Sequence, residues 1–221
     1  MTVLDPSMTM FDPSMTVFYS AARSFEQLVR GLDTADWNGP GLGDWDLRAL
    51  VGHTSRSLVT VIEYLKGPAL TGPLVDAPGY YLAVRDVSGA AGAEAIIERG
   101  RQAGRDLGDD PAAAVSALVA TACSDVAQAG DPVAQAGDPV ITVIGGIGIT
   151  LSEYLQTRVF ELVVHGLDIA RATGRDYQPS EQVLEAATVL AARIATRSGR
   201  GGPLLLGLTG RAELGDGFSV V

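Results

Sequence analysis

His53 and His165 are the only histidines among 221 residues, and the second stands in a row of polar side chains. Tyr154, Arg158, Glu161, His165 and Asp168 follow one another at steps of three and four, which stack side chains on one face of an α-helix. The rest of residues 152–174, SEYLQTRVFELVVHGLDIARATG, is apolar nearly all round: Val159, Phe160, Leu162, Val163, Val164, Leu167 and Ile169. A helix apolar on its other sides is expected to be buried, and burying ionisable groups costs free energy unless they are paired. A buried row with a carboxylate and an imidazole therefore calls for a partner in the core, and the candidate is a metal ion.

Glu161 and His165, at i and i+4, have Cβ atoms about 5–6 Å apart on one helical face, so both can reach a single ion. His53, from a neighbouring antiparallel helix, completes a His₂Glu set. That is a ligand composition of catalytic zinc sites, where the fourth position holds water or substrate. Asp168 and Arg158, one step to either side, are expected to orient a ligand or bind an anionic substrate. Spacing alone leaves the plainer alternative open, in which each histidine is a satisfied core residue. The polar stripe on an apolar helix, and the lack of any other histidine, favour the ion.

The elements that must position these groups follow from periodicity. Residues 16–32 form a helix with an apolar face of Phe18, Ala21, Ala22, Phe25, Leu28 and Val29, ended by Trp37 and the Gly/Pro-rich run NGPGLG. A second helix, capped by Asp44 or Asp46, runs through Leu47, Leu50, Val51, Leu58, Val61, Ile62 and Leu65 to the stop signal Gly67-Pro68, with His53 inside it. Residues 68–78 read as a loop. Helices follow over about 90–107 and, past the break at 108–111, over 111–129. Residues 140–150 place β-branched side chains on either side of Gly145-Gly146, as a short hairpin or an extended lead into the long helix. Pro179-Ser180 starts a last helix over 181–197, and residues 204–208 and 218–221 read as strand-like. Four or five amphipathic helices with little strand predict an all-α protein, an up-down four-helix bundle with extra short helices and a short extended tail. The expected division is a flexible arm at 1–14, a bundle at 15–200 and a tail at 201–221.

Two period-seven near-repeats interrupt this plan: MTVLDPS, MTMFDPS, MTVF at the N-terminus, and VAQAGDP twice over 126–139. Both are far shorter than a solenoid needs. They read as local duplications that make a mobile arm and a lengthened loop, with an N-terminal docking peptide as the alternative for the first.

The composition, 47% hydrophobic and 19% charged, is that of an ordinary soluble globular protein. A net charge of −10 and a pI near 4.6 speak against nucleic acid and anionic membrane surfaces as partners. Lys66 is the one lysine among 16 Lys and Arg, a bias expected of a GC-rich bacterial genome. Cys123, the single cysteine, excludes an intrachain disulfide and a thiolate zinc cluster, and it reads as a small core residue, with a reactive thiol as the alternative. No basic segment leads into an apolar run at the N-terminus, and the run over 140–151 is too short to span a bilayer. A cytoplasmic location is the expectation.

Two blocks of the chain resemble the mycothiol-dependent maleylpyruvate isomerase family, metal-binding helical bundles related to DinB. WNGPGLGDWDLRALVGHTSRSL, residues 37–58, is similar to the family's pattern of Trp, a Pro-containing loop, a second Trp and D-L-x-x-H. LSEYLQTRVFELVVHGLDIARATG, residues 151–174, is similar to its Y-L-x-x-R-x-x-E-L-x-x-H-x-x-D-I-A signature. With the helix order, the likeness covers about residues 15–200. It implies that His53, Glu161 and His165 bind a divalent metal, zinc first among them, and that Asp168 matches an aspartate beside the metal that serves catalysis. It further implies a low-molecular-weight thiol such as mycothiol, held by the metal as thiolate, that adds to a small electrophilic substrate. Addition followed by loss of the thiol isomerises a double bond; addition alone transfers the thiol.

The isomerase also has an α/β C-terminal domain that contributes an arginine. The last residues here, although they contain Arg211, do not align with it, so that domain is expected to be absent or vestigial. Three readings stay open at this point: a thiol-dependent transferase or isomerase, a metal-binding or partner-binding module without catalysis, and a metal-assisted hydrolase. A homodimer is open as well. Trp37 and Trp45 are expected as anchoring aromatics, Trp45 with the alternative of lining the pocket. Tyr154 is placed at the pocket floor, and Arg56 and Ser57 face either the cavity or solvent.

Overall fold

The computed structural model describes residues 13–33, 36–67, 72–89, 92–130 and 137–221. The expected arm at 1–14 and the second VAQAGDP copy fall largely outside these residues. Eight α-helices are present among them: α1 Pro13–Arg30, α2 Leu47–Leu65, α3 Ala77–Gly89, α4 Gly92–Asp106, α5 Pro111–Ala129, α6 Leu151–Thr173, α7 Glu181–Arg197 and α8 Gly201–Leu208. Three short strands join them, β1 Leu74–Val75, β2 Val140–Val143 and β3 Ile147–Thr150.

Helix starts are set by side chains that satisfy the first free N–H groups. Asp46, not Asp44, caps α2 and accepts from the Ala49 N–H at 2.7 Å. Asp110 caps α5 with Pro111 in the first turn, and Ser180 caps α7. Helix α6 runs straight out of β3 and stops at Gly174, whose φ of 66° is the left-handed conformation that glycine adopts without penalty.

Helix α6 packs against α1 and α2, and α5 packs against the same two, so α1, α6, α2 and α5 close a ring of four. Its interior holds Phe18, Phe25, Leu50, Leu58, Leu155, Leu162 and Ile169, all fully buried. The apolar face expected of α1 is the one buried. Outside the ring, α7 lies on α6 and α1, and α3 lies against α6 and α7.

Helix α4 packs on α2 more closely than ordinary side chains permit. A Cβ on Gly104 would fall 2.7 Å from the Arg48 carbonyl oxygen, and one on Gly52 would fall 2.1 Å from the Gly104 nitrogen. A Cβ on Gly100 would strike the Trp45 ring at 2.6 Å. Three glycines therefore bring α4 against the face of α2 that carries His53.

The expected hairpin over 140–150 is present: β2 pairs antiparallel with β3, from Val140↔Thr150 to Val143↔Ile147. Gly145 and Gly146 turn the chain with φ near +74° and +73°. Asp138, from the second VAQAGDP copy, accepts from the Ser152 N–H and hydroxyl and tethers the first turn of α6.

Three expectations are corrected. Residues 68–78 are not one loop, because β1 pairs parallel with β3 and α3 starts at Ala77. Asp76 accepts from the Gly79 N–H and Pro78 sits in the first turn, which are start signals hidden in a Gly/Pro-rich run. Residues 204–208 belong to α8 rather than to a strand, and 218–221 form no strand. The tail is therefore helical before it is extended. Helix α6 is not buried all round, since Leu167 is 47% exposed. Finally, α5 is long and apolar enough by composition to cross a membrane; its alanines raise the hydropathy, and its Val115, Val119, Ala122 and Val126 are buried in the bundle.

Candidate metal centre

Helix α2 and helix α6 cross so that His53, Glu161 and His165 meet. One ligand atom from each lies within 4.8 Å of the other two, and all three side chains are half-buried. The His53 and His165 rings stand edge to face with centroids 5.0 Å apart.

Each donor is held by a neighbour. His165 places Nδ1 3.1 Å from Asp168 Oδ2, on the same face one turn on. A proton on Nδ1 then leaves Nε2, 3.4 Å from Glu161 Oε2, as the free donor atom. The Tyr81 hydroxyl, from α3, lies 2.8 Å from Glu161 Oε1 and 3.1 Å from the Thr157 carbonyl, so it fixes one carboxylate oxygen and leaves the other toward the histidines. Trp45 stacks on His53 with ring centroids 4.5 Å apart and donates its indole N–H to the Ile97 carbonyl at 2.9 Å.

The charges suit a cation. Burial opposes charge on His165, but its bonds to Asp168 and Glu161 prevail and push its pKa up to about 9. Burial alone would raise Glu161, yet His165, Arg158 and Tyr81 bring it down to about 2. His53 is lowered to about 4, first by burial and then by His165. Without a metal, the site is thus a carboxylate and a neutral imidazole around a second imidazole that holds a proton. A divalent ion could take the place of that proton, and two neutral imidazoles plus one carboxylate is a donor set zinc accepts. The residues present fit such an ion.

Arg158 is 7% exposed and lies over the rings of Tyr154 at 4.7 Å and Tyr80 at 5.4 Å. Its Nε donates to the Thr157 hydroxyl at 3.0 Å. Burial works against its charge, and the surrounding tyrosines and Glu161 outweigh burial, so it stays a cation. Tyr154 is fully buried and donates to the Thr60 hydroxyl at 2.8 Å, forming the wall behind Arg158.

A cavity of about 190 Å³ opens beside the triad. His53, Arg56, Ser57, Thr60 and Tyr64, one face of α2, line one side of it, and Arg158 and Glu161 of α6 line another. Arg56 and Ser57 thus face the cavity rather than solvent. Trp37 is a buried anchor beneath Arg48. Cys123 is half-buried on α5, and burial raises its pKa, which suits a packing role better than a nucleophilic one. Sequence reasoning missed Tyr80 and Tyr81, which sit on α3, a helix that starts inside the expected loop at 68–78, and Arg99 of α4, which also reaches the cavity. Nothing local in the sequence marks any of the three.

No curated protein and no solved structure matches the chain. The family described as the mycothiol maleylpyruvate isomerase N-terminal domain matches residues 18–170, a span that contains all but the first turn of α1 and the last turn of α6 in the ring of four helices, and every residue of the triad. With more than half its length matched, this chain belongs to the mycothiol maleylpyruvate isomerase N-terminal domain family.

Proposed function

We propose that the protein is a metal-dependent enzyme, with zinc as the first candidate ion, that joins a low-molecular-weight thiol such as mycothiol to a small electrophile, as a transferase or isomerase. The observation that carries this reading is three convergent donors, two imidazoles and a carboxylate, beside a closed-in cavity rather than in a sealed core. When bound, the ion would lower the pKa of a coordinated thiol and keep it as the nucleophilic thiolate.

The residues of the chain supply orientation. Asp168 holds the His165 ring in the tautomer that presents Nε2, and Tyr81 holds Glu161. Trp45 covers His53 and excludes water from one side. Arg158 keeps a fixed positive charge next to the triad, where it can pair with negative charge on a reacting molecule. Asp168 keeps a second carboxylate oxygen, not engaged by His165, with which to accept or return a proton.

Elemental analysis of purified protein is expected to find about one divalent ion per chain, lost in His53→Ala and His165→Ala. Metal-loaded protein is expected to consume mycothiol, glutathione or bacillithiol in the presence of an electrophile. Metal content unaffected by both substitutions overturns the site. Metal binding without consumption of any thiol overturns the thiol chemistry, and turnover of esters or amides without thiol assigns a hydrolase instead.

A further inference from the structure

The two histidines of the triad are held in different ways. His165 has Asp168 behind it, 3.1 Å from Nδ1. His53 has no such partner: no hydrogen bond joins either of its ring nitrogens to another described residue. The torsion that turns an imidazole about its bond to Cβ has broad minima, so a ligating ring without a hydrogen bond needs another constraint to stay aimed. Trp45 supplies one. Its ring lies against His53 with centroids 4.5 Å and planes 32° apart, a tilted stack that fixes the imidazole plane. The indole is itself fixed at three points. Its N–H donates to the Ile97 carbonyl of α4 at 2.9 Å. At Gly100, α4 leaves a gap for the ring, since a Cβ there would stand 2.6 Å from Cε2 and Nε1. The Trp45 backbone donates to the Leu42 carbonyl and accepts from the Gly41 N–H, in the turn that leads to the Asp46 cap.

We propose that Trp45 is a positioning residue for the metal centre: keyed into α4, its indole holds the His53 imidazole in the plane that faces Glu161 and His165. The aromatic face does for His53 what the Asp168 carboxylate does for His165. This also gives the close packing of α4 on α2 a purpose, because Gly52 and Gly104 bring the Ile97 carbonyl and the Gly100 gap to the indole. Helix α4 contributes no residue to the triad, yet it sets the aim of one ligand. The inference rests on the proposed metal centre and is independent of the thiol and of any substrate.

The test loads full-length protein with cobalt(II), whose visible bands report the geometry of its ligands, and measures affinity by chelator competition. Trp45→Leu is expected to weaken the ion about 10–100-fold, the usual effect of removing a group that orients a ligating histidine, and to alter the bands. Trp45→Phe, which keeps a ring against His53, is expected to recover the larger part of the affinity. Gly100→Ala touches no ligand and favours the helix by propensity. Its methyl displaces the indole, so it is expected to shift the bands in the same direction as Trp45→Leu. Trp37→Phe, at the other tryptophan, is expected to lower the urea midpoint and leave the bands unchanged. Equal affinity and equal bands in wild type, Trp45→Leu and Gly100→Ala overturn the proposal. So does a loss in Trp45→Leu that Trp37→Phe reproduces, or a Trp45→Phe protein no better than Trp45→Leu. A second readout needs no metal: the indole ring current is expected to displace the His53 ring-proton resonances in wild type, and Trp45→Leu to return them while those of His165 stay. Wild type that binds no cobalt sinks the metal reading alone. The ring-proton resonances then decide, and their indifference to Trp45→Leu overturns the positioning role.

Discussion

At the scale of single residues, the site is held together by groups that never need touch an ion. Asp168 accepts from His165, and Tyr81 binds the far oxygen of Glu161. Asp168→Asn is expected to keep the fold and weaken metal affinity about 10–100-fold, the usual effect of losing a carboxylate behind a ligating histidine. Competition with a coloured chelator measures it. The same geometry sets a proton release. His165 carries its proton up to about pH 9 in the metal-free protein, and an ion must displace it. Apparent metal affinity is therefore expected to rise about tenfold per pH unit from roughly pH 6 and to flatten near about 9. A flat profile across that range would show that His165 binds no proton in the free protein, or no ion in the loaded one.

At the scale of elements, the decisive contact is α4 against α2. Gly104 and Gly52 let the backbones meet, and without that approach Arg99 and Ile96 would not reach the cavity. Gly104→Ala is expected to lose about 1–3 kcal/mol or more in urea unfolding, the cost of forcing a methyl into a packed interface. Gly202→Ala on α8, where a Cβ meets open space, is the control and is expected to change little. Asp46→Ala, which strips the cap from α2, is expected to cost ~1 kcal/mol. Legibility differs sharply between these cases. The cap and the helix periods of α1, α2, α6 and α7 can be read from the sequence, because they depend on neighbours within one turn. The role of Gly52 and Gly104 cannot, because a glycine inside a helix pattern looks like a weakness until the opposing helix is in place. Helix α3 was missed for a related reason: its Gly and Pro content imitates a loop, while packing against α6 and α7 stabilises it.

At the scale of the whole molecule, the two histidines pull stability in opposite directions with pH. Unfolded His53 takes up a proton below its ordinary 6.5, whereas folded His53 refuses it until about 4, so stability rises with pH across that window. His165 behaves oppositely. Its stabilisation is complete below 6.5 and is lost as pH rises toward about 9, because the folded state keeps a proton that the unfolded chain releases. Glu161 adds to the acid side, losing its contribution as pH falls from 4.5 toward about 2. No other histidine exists in the chain. Chelated protein is therefore expected to be most stable near pH 6.5, falling off on both sides, as urea midpoints across the range would show. Added metal is expected to raise the melting temperature with ligand concentration, and most at the alkaline end, where the proton no longer competes. A monotonic profile for the chelated protein would contradict the opposed pair.

The sequence by itself determined the ingredients and their local order. Hydrophobic periodicity predicted a helical bundle, and two histidines and a glutamate singled themselves out because ionisable groups are expensive on an apolar helix. Steps of three and four put Glu161, His165 and Asp168 on one face, which follows from helix geometry alone. Only the tertiary structure decided which faces meet. It brought His53 across from α2, set Tyr81 on Glu161 and gathered Arg56, Arg99 and Arg158 around one cavity. It also left Leu167 in solvent and made residues 204–208 helical. These contacts join residues far apart in the chain. They depend on close approach between helices, which no local pattern of residue types encodes.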